Sequence, residues 1–219
     1  MGAVASPVRK GVVLLALIMA PIGIHVAMAT QRGLALAGIL VIAESGLIAW
    51  IALSFVPVRS LRWIGCAAVL ALTTAIWLLS PDGIVASSAI PHAIAYLSLL
   101  TVFGASLAPG RKPIITVLAE ASRGALPPAV TVYTRRVTWA WCLFCTGQLG
   151  FSLLLLLFAP VTVWSAFVNL CNLPLLAAMF CGELVWRKWR HGSWPQERLT
   201  DGFRLAREIR ASSTRDALR

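Results

Sequence analysis

The sequence predicts an all-α fold: a polytopic membrane bundle of about six transmembrane helices, with both termini on the cytoplasmic side. Three observations predict it. The 219-residue chain is 59% apolar and only 12% charged, a balance foreign to ordinary soluble domains. Its apolar residues are gathered into runs of about 20, the length that crosses a hydrocarbon core. Its net charge of +11 is confined almost entirely to the segments between those runs. A nucleic-acid reader is also basic, but it spreads Lys and Arg over a folded face and has no such runs, so nucleic acid is not expected as a partner.

A short polar start ends in Arg9-Lys10, and the first run follows from Gly11 to Ala29. Ala27-Met28-Ala29 after a basic start also fits a cleaved signal peptide, but the length of the run favours a retained span. A brief connector leads to the second span, Gly33 to Val56, with Glu44 inside it. Pro57-Val58-Arg59-Ser60-Leu61-Arg62 forms a basic turn before the third span, Trp63 to Leu79, which Ser80-Pro81-Asp82-Gly83 stops. The fourth, Ile84 to Leu107, holds Pro91, a residue tolerated in membrane helices when neighbours satisfy the freed carbonyl. The longest connector runs from Ala108 to Thr138. In it Ile114, Ile115, Val117, Leu118 and Ala121 share one helical face, which predicts a short interfacial helix ended by Gly124 and Pro127-Pro128. The fifth span is Trp139 to Phe158, and the sixth is Val161 to Trp186. Residues 1–190 are thus expected to form a six-helix transmembrane domain with a cytoplasmic connector at 108–138, and residues 191–219 a basic cytoplasmic tail.

Orientation follows from charge. With both termini inside, every one of the 19 Lys and Arg residues except Arg32 falls on the cytoplasmic side. The tryptophans fit this arrangement as two interfacial belts. Trp50, Trp63, Trp139, Trp141, Trp186 and Trp189 are expected at the inner interface, and Trp77 and Trp164 at the outer one. No internal repeat accompanies this topology.

Polar side chains inside spans are costly and therefore candidates for function. They are His25, Glu44, His92, Gln148, Asn169, Asn172 and Glu183. Glu44 lies about 17 Å along its helix, close to the midplane, and with His25 and His92 it forms either a relay or a set of separate interhelical hydrogen bonds. Asn169 and Asn172 share a face, to which Glu183 returns eleven residues later. Glu183 is placed to pair with Arg187, or with Arg135 or Arg136 across the interface.

The second group of candidates is basic: Arg111, Lys112, Arg123, Arg135 and Arg136 in the long connector. These act either as topology determinants alone or as a surface for anionic lipid or an acidic partner. Cys142-Leu143-Phe144-Cys145 has the C-x-x-C spacing but neither a second pair nor a nearby histidine, so packing is the expected role. Nucleophile elbow, Walker loop, H-E-x-x-H and His-x4-Asp patterns are missing from the sequence. Neither a catalytic set, a cofactor nor a metal is expected from it.

Residues around the connector resemble one bacterial family. They are Phe103-Gly104-x-Ser106-Leu107, Gly110-Arg111-x-Pro113-Ile114-Ile115-Thr116, Pro127-Pro128, Tyr133-Thr134-Arg135-Arg136-Val137-Thr138-x-x-Trp141, Trp164-x-x-Phe167-x-Asn169, and Glu183 with Arg187. The pattern is similar to the small inner-membrane proteins encoded among aryl-polyene and xanthomonadin-type pigment genes, sometimes labelled ketosynthase. It covers roughly residues 91–190. The resemblance implies a multi-pass protein of the bacterial inner membrane, in a pathway where polyene acyl chains are built on acyl carrier protein and joined to membrane lipid. It carries over no catalytic residue, because a condensing enzyme needs a Cys nucleophile with His partners in a soluble fold.

The expected function is therefore that of an accessory membrane protein that recruits acyl intermediates or partner enzymes at its basic face, with membrane lipid and acyl carrier protein as partners. The alternative is a small transporter or flippase for a lipid-linked or acidic substrate.

Overall fold

A computed structural model describes the backbone of residues 7–56, 58–80 and 82–190. Among the described residues the chain is all helix, without a strand. The long helices are α1 (Pro7–Thr30), α2 (Leu34–Ala52), α3 (Arg59–Leu79) and α4 (Gly83–Ser106). A short α5 (Ile114–Arg123) precedes α6 (Pro128–Phe158). The last crossing is made of α7 (Val161–Ser165), a π-helical segment (Ala166–Cys171) and α8 (Asn172–Arg190). Helices α2, α3, α4, α6 and the stretch Val161–Trp189 are each long and apolar enough to cross a membrane. In α1, 24 residues long, the described apolar part is the shorter Ile18–Thr30. The expected basic tail at 191–219 lies outside the described residues.

Helix α2 organises the bundle. It packs on α1, α3 and α4 and buries Ala37, Gly38, Val41, Ser45 and Ala49, four of them exactly one i+4 step apart in a row. Small side chains in such a row let backbones approach, the main source of helix adhesion where lipid tails remove the hydrophobic drive. The row is filled from outside: a Cβ on Gly38 would lie 2.1 Å from the Trp77 ring, and one on Gly46 2.9 Å from Leu70. A cluster of Ile24, Met28, Val41, Trp164, Phe167 and Val168 closes the end of the bundle remote from the basic connector.

Three boundaries differ from the sequence reading, each for a local reason. The connector 108–138 is not a connector throughout, because α6 begins at Pro128 and runs unbroken into the fifth span. Pro127 is extended, as a residue before proline prefers, and Pro128 takes the first helical position, where its missing N–H costs nothing. Helix α3 likewise starts at Arg59, one turn before the apolar run. The last span is interrupted by its π segment because Pro174 has no N–H to offer the Leu170 carbonyl and crowds it. One wider turn absorbs that defect.

The aromatic belts are also corrected. Trp164 is fully buried, with its Nε1–H donating to Ser152 Oγ at 3.1 Å. Trp141 is buried too, stacked on Phe103 and against Phe180. Burial of an indole is tolerated when its N–H finds an acceptor or its ring finds other rings. Trp50, Trp63, Trp139, Trp186 and Trp189 are exposed, as an interfacial belt requires.

The turn between α3 and α4 yields a direct test. A Cβ on Gly83 would lie 2.2 Å from the Trp77 carbonyl oxygen, a backbone atom that cannot swing away. Gly83→Ala is expected to cost about 1–3 kcal/mol. Gly104→Ala, whose new methyl meets nothing within 4 Å, serves as the control. Equal unfolding midpoints for the two variants in the same detergent would contradict this packing.

Candidate functional site

The polar residues of the bundle interior arise on α1, α2, α4, α6 and the last crossing, and they fall into local groups. In the first, the Ser165 hydroxyl lies 3.1 Å from His25 Nδ1, 3.1 Å from Asn169 Nδ2 and 3.4 Å from Met28 Sδ. A hydroxyl has one hydrogen and two lone pairs. With that hydrogen on Met28 Sδ, Asn169 and His25 both arrive as donors, and the group is saturated.

In the second group the Tyr96 hydroxyl donates to Asn172 Oδ1, tying α4 to α8. His92, one turn before Tyr96, is 5% exposed and packs between Tyr96 and Phe167, with ring centroids 4.8 and 6.3 Å away. Its two nitrogens, together with Gln148 Oε1, Ser45 Oγ and Arg62 Nε, are the buried side-chain atoms that find no hydrogen-bond partner among the described residues. Glu44 sits at the edge of the buried face of α2 and is half-buried. Among the described residues no hydrogen bond joins His25, Glu44 and His92 to one another.

Asn169, Asn172 and Glu183 do not act as one stripe. The π segment turns Asn169 toward Ser165, and Asn172 serves Tyr96. Glu183 Oε1 accepts from Tyr133 at 3.2 Å and lies 3.6 Å from Arg187 Nε, which joins α8 to α6 near the basic side. The cysteines are free: Cys66, Cys142 and Cys145 are buried, and Cys171 and Cys181 are exposed. Among the described residues no three His, Cys, Asp or Glu side chains converge as a metal set.

The connector is built just as locally. Ser106 at the end of α4 donates to the Phe103 carbonyl and receives the Ile114 N–H at 3.0 Å, so it caps α5 from the preceding helix. Gly110 takes the left-handed conformation, φ 77°, that the intervening turn demands. Thr134 gives its hydrogen to the Thr131 carbonyl, which leaves Thr116 to donate across 2.7 Å to Thr134 and pin α5 onto α6. Lys112 holds Glu120 at 2.7 Å, and Arg135 reaches the Leu107 carbonyl at 3.4 Å. Arg111 and Arg136 are exposed, and among the described residues neither guanidinium has a hydrogen bond or ion pair. The side chain of Arg123 lies outside the described residues.

Between α6 and α8 runs an open groove of about 660 Å³. Tyr133, Arg136, Glu183 and Trp186 stand at its polar end, and Val137, Ala140, Ala178, Met179 and Gly182 line the rest. Sequence reasoning missed Ser165, Tyr96, Ser152 and this groove. The signal for the groove was present as small residues at Ala140, Ala178 and Gly182, but only a fold shows that they face one another. Residues of the connector pattern have structural duties as well: Phe103 stacks on Trp141, Ser106 caps, Gly110 turns, Tyr133 holds Glu183 and Trp164 fills the core. Comparison with family models, curated proteins and solved structures gave no match.

The Tyr96 to Asn172 bond is the described polar tie from α4 to α8. In a double-mutant cycle, Tyr96→Phe and Asn172→Ala are expected to couple by roughly 0.6–1.7 kcal/mol, the range of interhelical hydrogen bonds in membrane proteins. Additive losses in detergent unfolding would show that the bond contributes nothing.

Proposed function

We propose that this chain is a non-catalytic or weakly catalytic accessory protein of a bacterial inner membrane, serving pigment biosynthesis of the aryl-polyene type by recruiting acyl intermediates, or the enzymes and acyl carrier protein that bear them, at its basic cytoplasmic face. The observation that carries this reading is the pair Arg111 and Arg136. Both are exposed, their guanidinium groups without a partner among the described residues, on a platform that Thr116, Thr134 and Ser106 hold in place. Topology alone calls for positive charge on that side, but it does not call for a fixed platform. Free guanidinium groups on a rigid support lose little entropy on meeting a carboxylate or phosphate.

The transporter reading is less supported. His25, Asn169, Asn172 and Glu183 each have a hydrogen-bond partner within the chain, so they serve helix adhesion before they serve a passing solute.

Binding of a polyene-loaded acyl carrier protein to the full-length chain in nanodiscs tests the proposal. Arg111→Glu with Arg136→Glu is expected to weaken binding at least about tenfold and to flatten its salt dependence. Pigment output in cells should fall in step at unchanged protein level. Unaltered binding and unaltered pigment would sink the reading.

A further inference from the structure

The groove between α6 and α8 is a site of its own. The two helices meet at Trp141 and Phe180, whose rings are 4.5 Å apart, and again where Tyr133 donates to Glu183. Between those contacts Ala140, Ala178 and Gly182 leave space that larger residues would fill. From Tyr133 to Ala140 the α6 wall is about 10 Å long.

We propose that this groove binds the acyl chain of an anionic amphiphile drawn from the membrane leaflet on the basic side, with Arg136 meeting the head group. The walls argue for the chain: they are apolar and small, and the polar side chains are confined to one end. Charge argues for the sign of the head. Glu183 is the acid at the rim, but it accepts from Tyr133 and is paired with Arg187. Among the described residues Arg136 therefore remains as the uncompensated charge at the groove, and its planar fork suits a carboxylate or phosphate. Exposed Trp186 beside it is the residue type that settles at head-group depth. The proposal commits to a membrane amphiphile as the source, since an acyl chain alone accounts for the apolar walls. It rests on the reading above only for the idea that the occupant is a pathway intermediate.

Gly182 allows a clean test, because a Cβ there meets nothing within 4 Å and a larger residue fills the groove without displacing the fold. The full-length protein in phosphatidylcholine nanodiscs would be photolabelled with phosphatidic acid carrying a diazirine midway along one chain. Phosphatidylcholine with the same diazirine is the comparison probe. Labelling by phosphatidic acid is expected on the peptides containing Ala140 and Gly182, and it should fall severalfold in Gly182→Leu. Arg136→Gln should reduce the preference for phosphatidic acid over phosphatidylcholine by about tenfold, the size of one charge-assisted contact.

Labelling spread evenly over lipid-facing residues and unchanged by Gly182→Leu would overturn the proposal. Equal labelling by both probes would overturn the anionic head group. Oxidative disulfide formation between two copies of a Gly182→Cys variant, with loss of probe labelling, would also overturn it, by making the groove a dimer contact. The carrier-binding measurement separates this site from the functional reading: Gly182→Leu is expected to leave carrier binding intact, whereas failure of that binding in the wild type counts against the reading and not against the groove.

Discussion

In lipid, a leucine gains nothing by leaving the tails for a neighbouring helix, so the bundle depends on close approach. The row Ala37, Val41, Ser45 and Ala49 along α2 supplies it, with Gly38 beside the row. Three helices gather on that face, and the large residues needed to fill space come from the partners, as when Trp77 lies over Gly38. The remaining surface of the helices is apolar, which in water would be a defect and in a bilayer is the solvated state. Helix α4, which reaches the last crossing through Tyr96 and Asn172, is one of the helices packed on this seam.

Much of the fold was legible because the bilayer imposes a length on helices and a sign on loops. The apolar runs gave helices close to their observed ends, and the basic turns carry the expectation of sidedness. What the sequence hid were the places where backbone chemistry outranked hydropathy. Pro127-Pro128 reads as a helix stop, but the same pair can start one, and Arg135 and Arg136 proved to be helical because polar composition does not break a helix. Pro174 stands inside the sixth span but was not read there as a fault, and the π segment that absorbs it is a tertiary outcome. Trp164 read as an interfacial residue by type. Its burial depends on Ser152, twelve positions back, being present to accept its N–H.

The candidate site was legible in kind and not in grouping. The intramembrane polar residues do face the interior for the most part, but position along a helix cannot say which helix lies opposite. His25 found Ser165 rather than Glu44 or His92, and Asn172 found a tyrosine, because serine and tyrosine were not counted among the costly residues. Hydroxyls satisfy the imidazole and the amides here, and a hydroxyl costs too little in a span to stand out in the sequence. The pair Thr116 and Thr134 went unnoticed on the same ground, although it fixes the platform that displays the free arginines.

Helix α6 has 31 residues and is therefore about 46 Å long, against a hydrocarbon core of about 30 Å. Its apolar half, from Trp139 onward, accounts for that thickness, so the turns from Pro128 to Thr138 stand clear of it by about 16 Å. A rod of this kind is a lever with its fulcrum in the bilayer. Displacing its basic end tilts the whole helix, and Gln148 and Ser152 must shift against their neighbours even though nothing has touched them. The surface and the membrane interior of this protein are consequently one mechanical unit, joined by a single unbroken helix.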